Sequence, residues 1–209
     1  WDDFYLPNKV GTENVFNSAK KAGIQRIVQV SSVAVYHRRI PTNINEATPR
    51  LSERQRGRYW DYAITKSLSE QLAWDLAAEH EQELTVVRPG PIYGQQDKNM
   101  LPVIEKFFKW PLLPAPTFGF PAVHAGDVAY GIAQALEAPT SIGKAYNLTG
   151  PAEPVSKLFK IWKEVSGRGP LLLPIPLPLN ATYDISAAER DLGFQNRTLR
   201  EGIEETFSQ

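Results

Sequence analysis

Ser31-Ser32, Tyr62 and Lys66 are the residues of this chain whose types and spacing can do chemistry together. Tyr62 and Lys66 stand four apart, so on a helix they share one face. The serine pair closes the apolar run Ile27-Val28-Gln29-Val30. If the helix face lies against that strand end, a hydroxyl, a phenol and an ammonium converge on one substrate oxygen. Tyrosine is a poor base near neutrality, with an ordinary pKa of about 10. A neighbouring ammonium and a cationic oxidised nicotinamide would both favour its phenolate. Ser32 can donate a hydrogen bond as charge develops on the substrate oxygen. Tyr62 can then give or take a proton while a cofactor takes or gives a hydride, which is the chemistry of an alcohol or carbonyl oxidoreductase. Each part alone is commonplace. A Tyr-x-x-x-Lys on an amphipathic helix is ordinarily a packed aromatic with a solvated lysine, and a serine pair is ordinarily a turn or cap. Their order and their placement in the expected elements carry the reading.

The elements that must position these groups are legible as periodicity. A helix is expected over 8–22, with Val10, Val15, Ala19 and Ala22 along one side and Gly23 as its stop. A buried strand follows over 26–31, then a polar, proline-containing loop over 37–58. The strongest helix spans 59–81, where Leu68, Leu72, Leu76, Ala73 and Ala77 repeat without glycine or proline. A second strand over 84–87 ends at Arg88-Pro89-Gly90; a helix over 100–109 gives way to a proline-rich loop over 110–121. Asp127 is expected to cap a helix to Leu136, before a third strand over 145–148. The tail offers a helix over 155–165, the segment Leu171-Leu172-Leu173-Pro174-Ile175-Pro176-Leu177-Pro178-Leu179, a helix over 186–192 capped by Ser186 and stopped by Gly193, and a last helix over 199–207. Short strands alternating with long helices imply an α/β fold, a doubly wound parallel sheet of the Rossmann type with a smaller, mostly helical C-terminal lobe. In such sheets ligands bind beyond the carboxyl ends of the strands, where Ser31-Ser32 and Pro89-Gly90 fall.

Composition narrows the class. The chain has 209 residues, 42% hydrophobic and 22% charged, with 23 basic and 23 acidic residues. That balance gives no net field favouring nucleic acid or an anionic membrane. No cysteine is present, so disulfides, thiol catalysis and thiolate metal sites are excluded. The leucine-proline segment is too short and too broken to span a bilayer. The three histidines, His37, His80 and His124, are dispersed and show no metal-ligand spacing.

With those motifs in place, the chain resembles the extended short-chain dehydrogenases/reductases, close to the NAD-dependent epimerase/dehydratase and 3β-hydroxysteroid dehydrogenase group. The segments that carry the resemblance are Asn8-Lys9-Val10-Gly11-Thr12-Glu13-Asn14-Val15, Gln29-Val30-Ser31-Ser32-Val33-Ala34-Val35-Tyr36, the Tyr62/Lys66 pair, and Val87-Arg88-Pro89-Gly90-Pro91-Ile92-Tyr93-Gly94. Val123-His124-Ala125-Gly126-Asp127-Val128-Ala129, Ala145-Tyr146-Asn147-Leu148-Thr149-Gly150 and the ending 184–206 complete the series in order. The resemblance implies catalytic roles for Ser32, Tyr62, Lys66 and Asn8. It implies NAD or NADP as cofactor, held by Ser31, Tyr62, Lys66, Pro89, Gly90 and Ile92. Substrate would meet Ser32, Val33, Tyr36, Phe118 and Phe120. Residues 1–95 and 123–150 would belong to the dinucleotide-binding domain, and 96–122 and 151–209 to the substrate lobe. The partners it implies are a small-molecule substrate and a second copy in a homodimer, through the helices over 8–22 and 59–81, in the cytoplasm.

The departures narrow the reaction. Val33 and Ala34 stand where sugar-nucleotide dehydratases of this kind carry an acidic pair, which argues against water elimination. Phe120 stands where epimerases place a diphosphate-gripping arginine. His37 replaces a glycine beside the substrate loop. Trp110, Phe118, Phe120 and the leucine-proline segment would build an apolar pocket, or else form the small lobe's own core. The first expectation is therefore an NAD(P)-dependent dehydrogenase or reductase of an apolar alcohol or ketone, sterol-, terpenoid- or phenolic-like. A nucleotide-sugar epimerase is the alternative within enzymology, and a catalytically idle scaffold or regulatory protein is the alternative outside it. The family's Gly-x-x-Gly-x-x-Gly phosphate-binding turn is absent from these residues. The chain is therefore expected to be the carboxyl-terminal portion of a longer protein, binding cofactor weakly and tending to associate when isolated.

Overall fold

The computed structural model of the chain describes residues 1–37, 43–177 and 181–207. Helix α1 (Asp2–Tyr5) runs through a π-helical turn, Leu6–Val10, into α2 (Gly11–Lys21). Strand β1 (Arg26–Val30), helix α3 (Asp61–Glu79) and strand β2 (Glu83–Pro89) follow. Next come β3 (Ile92–Tyr93), α4 (Met100–Phe107), β4 (Leu112–Pro116), β5 (Gly119–Phe120), β6 (Val123–His124) and α5 (Ala125–Glu137). The last third holds β7 (Ala145–Leu148), β8 (Glu153–Pro154), α6 (Val155–Ser166), β9 (Leu171–Ile175), α7 (Ser186–Leu192) and α8 (Leu199–Phe207).

Strands β1, β2 and β7 form a parallel sheet with β2 in the middle. Side-chain alternation along the strands feeds two separate cores. Ile27, Leu84 and Val86 meet Phe16 of α2 and Ala73 and Ala77 of α3 on one face. Val28 and Val87 meet Val128 and Ala135 of α5 and Ala188 and Leu192 of α7 on the other. Helices on both faces explain why every residue of β2 from Leu84 to Pro89 is buried. Phe16, fully buried between helix and sheet, contributes about 1.5–3 kcal/mol of that packing. This is the doubly wound arrangement that the alternating pattern predicts. All three strands point the same way, so Ser31 and Gly90 emerge at one edge of the sheet.

A third core joins α4, β4, α6 and α8 through Ile104, Leu113, Leu158, Trp162 and Ile203. The 3-10 turn Val33–Val35 and Tyr36 pack with Ile44 and Tyr183. Tyr36 bridges to Arg50 and Ile44 to Tyr183, which ties down the irregular segment after residue 43.

Several expectations need correction. The first helix does not begin at Asn8 but at Asp2, because Pro7 is absorbed: it lacks an N–H, and the helix widens into the π turn around it. The stretch 110–121 is not all loop. Leu112–Pro116 pairs in parallel with Leu171–Ile175 of the leucine-proline segment, the end of which lies outside the described residues. In a two-stranded ladder both strands are edges, where proline is tolerated. Part of the 37–58 loop, 38–42, also lies outside the described residues. Asp127 does not cap α5. His124 does, its Nδ1 accepting from Gly126 N at 3.1 Å, while Asp127 pairs with Arg197 at 2.8 Å. Ser186 is likewise the first residue of α7 rather than its cap, and its N–H donates to Asp184 Oδ1 at 2.9 Å. Gly193 ends that helix as expected, in the left-handed conformation at φ 60°.

Candidate active site

Beyond the carboxyl ends of β1 and β2 lies a cavity of about 950 Å³ that both Ser32 and Tyr62 line. Ser32 leaves β1 in an extended conformation and starts the 3-10 turn; its Oγ accepts from Ala34 N at 3.2 Å. That contact uses an acceptor site, so the hydroxyl proton stays available to the cavity. Tyr62 lies in the first turn of α3, tilted against Trp60 at 4.7 Å and edge-on to Phe4 at 5.8 Å between ring centroids. One turn along, Lys66 Nζ donates to the carbonyl of Val30 at 2.7 Å, which pins α3 to the last residue of β1. Ser32 and Tyr62 thus share the cavity lining, and Lys66, which is not part of that lining, reaches the last residue of β1. Burial lowers the Lys66 pKa from its ordinary value, and the negative charge of Glu70 opposes that shift.

Asn8 reaches the same helix from the π turn: its Nδ2 donates to Thr65 Oγ1 at 3.0 Å, and Thr65 Oγ1 donates to the Tyr62 carbonyl at 3.1 Å. Asn8 does not line the cavity. Ser31 does not either; it is buried, and its Oγ donates to Glu70 Oε2 at 2.6 Å. At the end of β2 and just beyond it, Gly90 and Ile92 line the cavity and Pro89 lies outside it. A Cβ on Gly90 would stand 2.4 Å from the Pro121 carbonyl oxygen, so only glycine lets this strand end approach the opposite wall.

Val33, Tyr36, Phe118 and Phe120 all face the cavity. Trp110 and the described part of the leucine-proline segment, 171–177, do not, which leaves the second of the two expectations for them, packing within the small lobe. Trp110 packs edge-on against Phe107, and β9 is held at β4. The sequence reading missed Trp60, Met100 and Tyr183, which also line the space. Trp60 carried a signal as the residue before the helix; Tyr183 arrives from far along the chain, and no local pattern marks it. The His37 ring lies 5.7 Å from that of Tyr59, another lining residue. The described lining carries no formal charge, only hydroxyl, amide, aromatic and aliphatic groups. Among the described residues no cluster of three or more His, Asp or Glu is arranged to hold a metal.

Four likenesses to known proteins accompany this geometry. The model of the NAD dependent epimerase/dehydratase family matches residues 2–149. Tetraketide alpha-pyrone reductase 2 of Arabidopsis thaliana is 32% identical over 148 residues, which cover 64% of this chain and 45% of that protein. The 4-hydroxy-2-methyl-3-oxo-4-farnesyl-3,4-dihydroquinoline-1-oxide ketoreductase of Stigmatella aurantiaca is 33% identical over 157 residues, covering 72% and 44%. The chain therefore spans under half the length of these two relatives. Among solved structures, a UDP-glucose-4-epimerase from Stenotrophomonas maltophila with bound NAD and formylated UDP-arabinopyranose superposes with a TM-score of 0.80 at 22% identity, over 98% of this chain and 69% of that one. That likeness speaks to the fold.

Proposed function

This chain belongs to the NAD dependent epimerase/dehydratase family, and from that premise we propose that it is the catalytic part of an NAD(P)-dependent reductase or dehydrogenase acting on an apolar ketone or alcohol. The observation that carries this reading is the lining of the cavity: Phe118, Phe120, Trp60, Met100 and Ile92 surround the space that Ser32 and Tyr62 share. Such a wall gains from burying a hydrocarbon ligand, while two hydroxyls fix one oxygen. The two relatives named above are, by their names, a tetraketide alpha-pyrone reductase and a ketoreductase of a farnesyl-bearing dihydroquinoline oxide, which supports a carbonyl substrate.

The residues present fit the nicotinamide end of the cofactor. Lys66 spends one of its three N–H donors on Val30, leaving two for ribose hydroxyls. Tyr62 would hold the same ribose, Gly90 and Ile92 would stand against the nicotinamide, and Ser31 and Pro89 would support the strand ends behind them. The bound cofactor supplies or accepts the hydride. Ser32 donates to the substrate oxygen and steadies its developing charge. Tyr62 delivers the proton in reduction and removes it in oxidation. Asn8 acts at one remove, holding the first turn of α3 through Thr65. Residues 1–95 and 123–150 serve the cofactor, 96–122 and 151–209 wall the substrate, and the protein works in the cytoplasm as a homodimer through α2 and α3.

The test is cofactor-linked turnover of neutral, apolar ketones by the intact protein. Stoichiometric oxidation of NADH or NADPH is expected, and Tyr62→Phe should lower kcat by about 10²–10⁴-fold. Turnover of a nucleotide sugar without net cofactor oxidation would replace this reading with epimerisation. Unchanged biological activity in Tyr62→Phe would replace it with a binding role.

A further inference from the structure

Beneath the site lies a buried ionic hub that the reaction scheme leaves unused. Glu70 is fully buried on α3, four residues after Lys66 and eight after Tyr62. Its Oε1 accepts from Arg88 Nη2 at 2.5 Å and Arg50 Nη1 at 2.6 Å; its Oε2 accepts from Ser31 Oγ at 2.6 Å and Arg88 Nε at 3.1 Å. Arg88 continues to the cavity wall, since its Nη1 donates to the hydroxyl of Tyr36 at 2.7 Å, and that hydroxyl donates to Asn147 Oδ1 at 2.6 Å. One carboxylate therefore clamps the ends of β1 and β2 and the segment around Arg50 to the helix that carries Tyr62 and Lys66.

A hydrophobic residue would fill this space at lower desolvation cost, so the charge calls for a reason beyond packing. We propose that Glu70 is a positioning residue for Lys66: one helical turn along α3 it supplies the counter-charge to the ammonium at the ribose site, while its hydrogen bonds fix Ser31-Ser32 against that helix. The proposal rests on the reading of Lys66 as a cofactor ligand. The groups facing this pair are Ser31 and the Val30 carbonyl from β1, Arg88 from β2, and Arg50 from the segment before α3; Glu46 enters through its carbonyl, 3.4 Å from Arg88 Nη1, and its carboxylate, 2.8 Å from Asn147 N. Burial alone would raise the Glu70 pKa, but Arg88, Ser31 and Arg50 hold it below its ordinary value, so it is an anion near neutrality. Its charge is the influence that opposes the loss of a proton from Lys66.

Two substitutions of opposite sign separate this role from mere stabilisation. Glu70→Gln keeps an amide able to bond Ser31 but removes the charge. Arg50→Gln, at the partly exposed rim of the hub, leaves Glu70 less neutralised. The probe is acetic anhydride on the intact protein at pH 8, without cofactor or substrate, with acetylation of Lys66 read by mass spectrometry against the exposed Lys98. Glu70→Gln should speed labelling of Lys66 by about three- to tenfold, and Arg50→Gln should slow it by about twofold. Loosening of the structure would instead speed both. Equal rates in all folded forms, or faster labelling in Arg50→Gln, overturn the proposal. If Glu70→Gln fails to fold, the direction in Arg50→Gln decides. Because no turnover is read, a failure here leaves the Tyr62→Phe test of the reaction standing, and the reverse also holds.

Discussion

Tyr36 joins the surface that meets ligand to the polar interior that holds the strand ends. Its ring faces the cavity, its hydroxyl sits between Arg88 and Asn147, and Arg88 lies 4.9 Å from the ring centre. Burial pushes its phenol up to about 12, so it stays neutral and can donate and accept at once. Tyr36→Phe strands a buried guanidinium N–H and an amide oxygen, and a loss of about 1–3 kcal/mol is expected in urea unfolding. Ser32, Tyr62 and Lys66 are legible in the sequence because their spacing maps directly onto one strand end and one helix face. The ionic role of Glu70 is not, since a glutamate on a helix reads as solvated until tertiary structure supplies its partners.

Element by element, the sequence pattern locates α3, α5, α6 and α8, although α3 buries Ile64, Ala73 and Ala77 together with Ser67, Ser69 and Glu70 and leaves Leu68, Leu72 and Leu76 half-buried, and the run 84–87 marks a strand covered on both sides. It fails at β4 and β9, where Pro114 faces Leu173 and Pro174 faces Ala115. Proline suppresses the strand signal, and pairing between distant segments leaves no local trace. Caps fail for a related reason: an aspartate near a helix start has competing partners, and Asp127 takes Arg197. Gly90 shows how strictly the turn after β2 is shaped. Gly90→Ala drives a methyl into the Pro121 carbonyl, and about 1–3 kcal/mol of destabilisation is expected in thermal unfolding, with the Phe118–Pro121 wall displaced.

For the molecule as a whole, carboxylates set the response to acid. Asp191 of α7 accepts from Lys144 at 2.9 Å and Tyr146 at 3.0 Å, tying that helix to β7. Lys144 first, then Arg190 and Tyr146, draw its pKa from 3.8 down to about 2. A carboxyl depressed in the folded state stabilises fully above its unfolded value, and that contribution is lost as pH falls through the folded one. Stability should therefore drop between about pH 4 and 2, and Asp191→Asn should flatten that limb in denaturant titrations across the window. No described helix is long and apolar enough to cross a membrane. The parallel ladders impose an order of assembly. Arg26 finds Glu83, Val86 finds Ala145 and Leu112 finds Leu171, each closing a loop of about sixty residues. Helices settle within microseconds, whereas these ladders wait on chain diffusion. During synthesis β4 stays without its mate until β9 has left the ribosome, so the leucines of this ladder are shielded only once that later segment arrives.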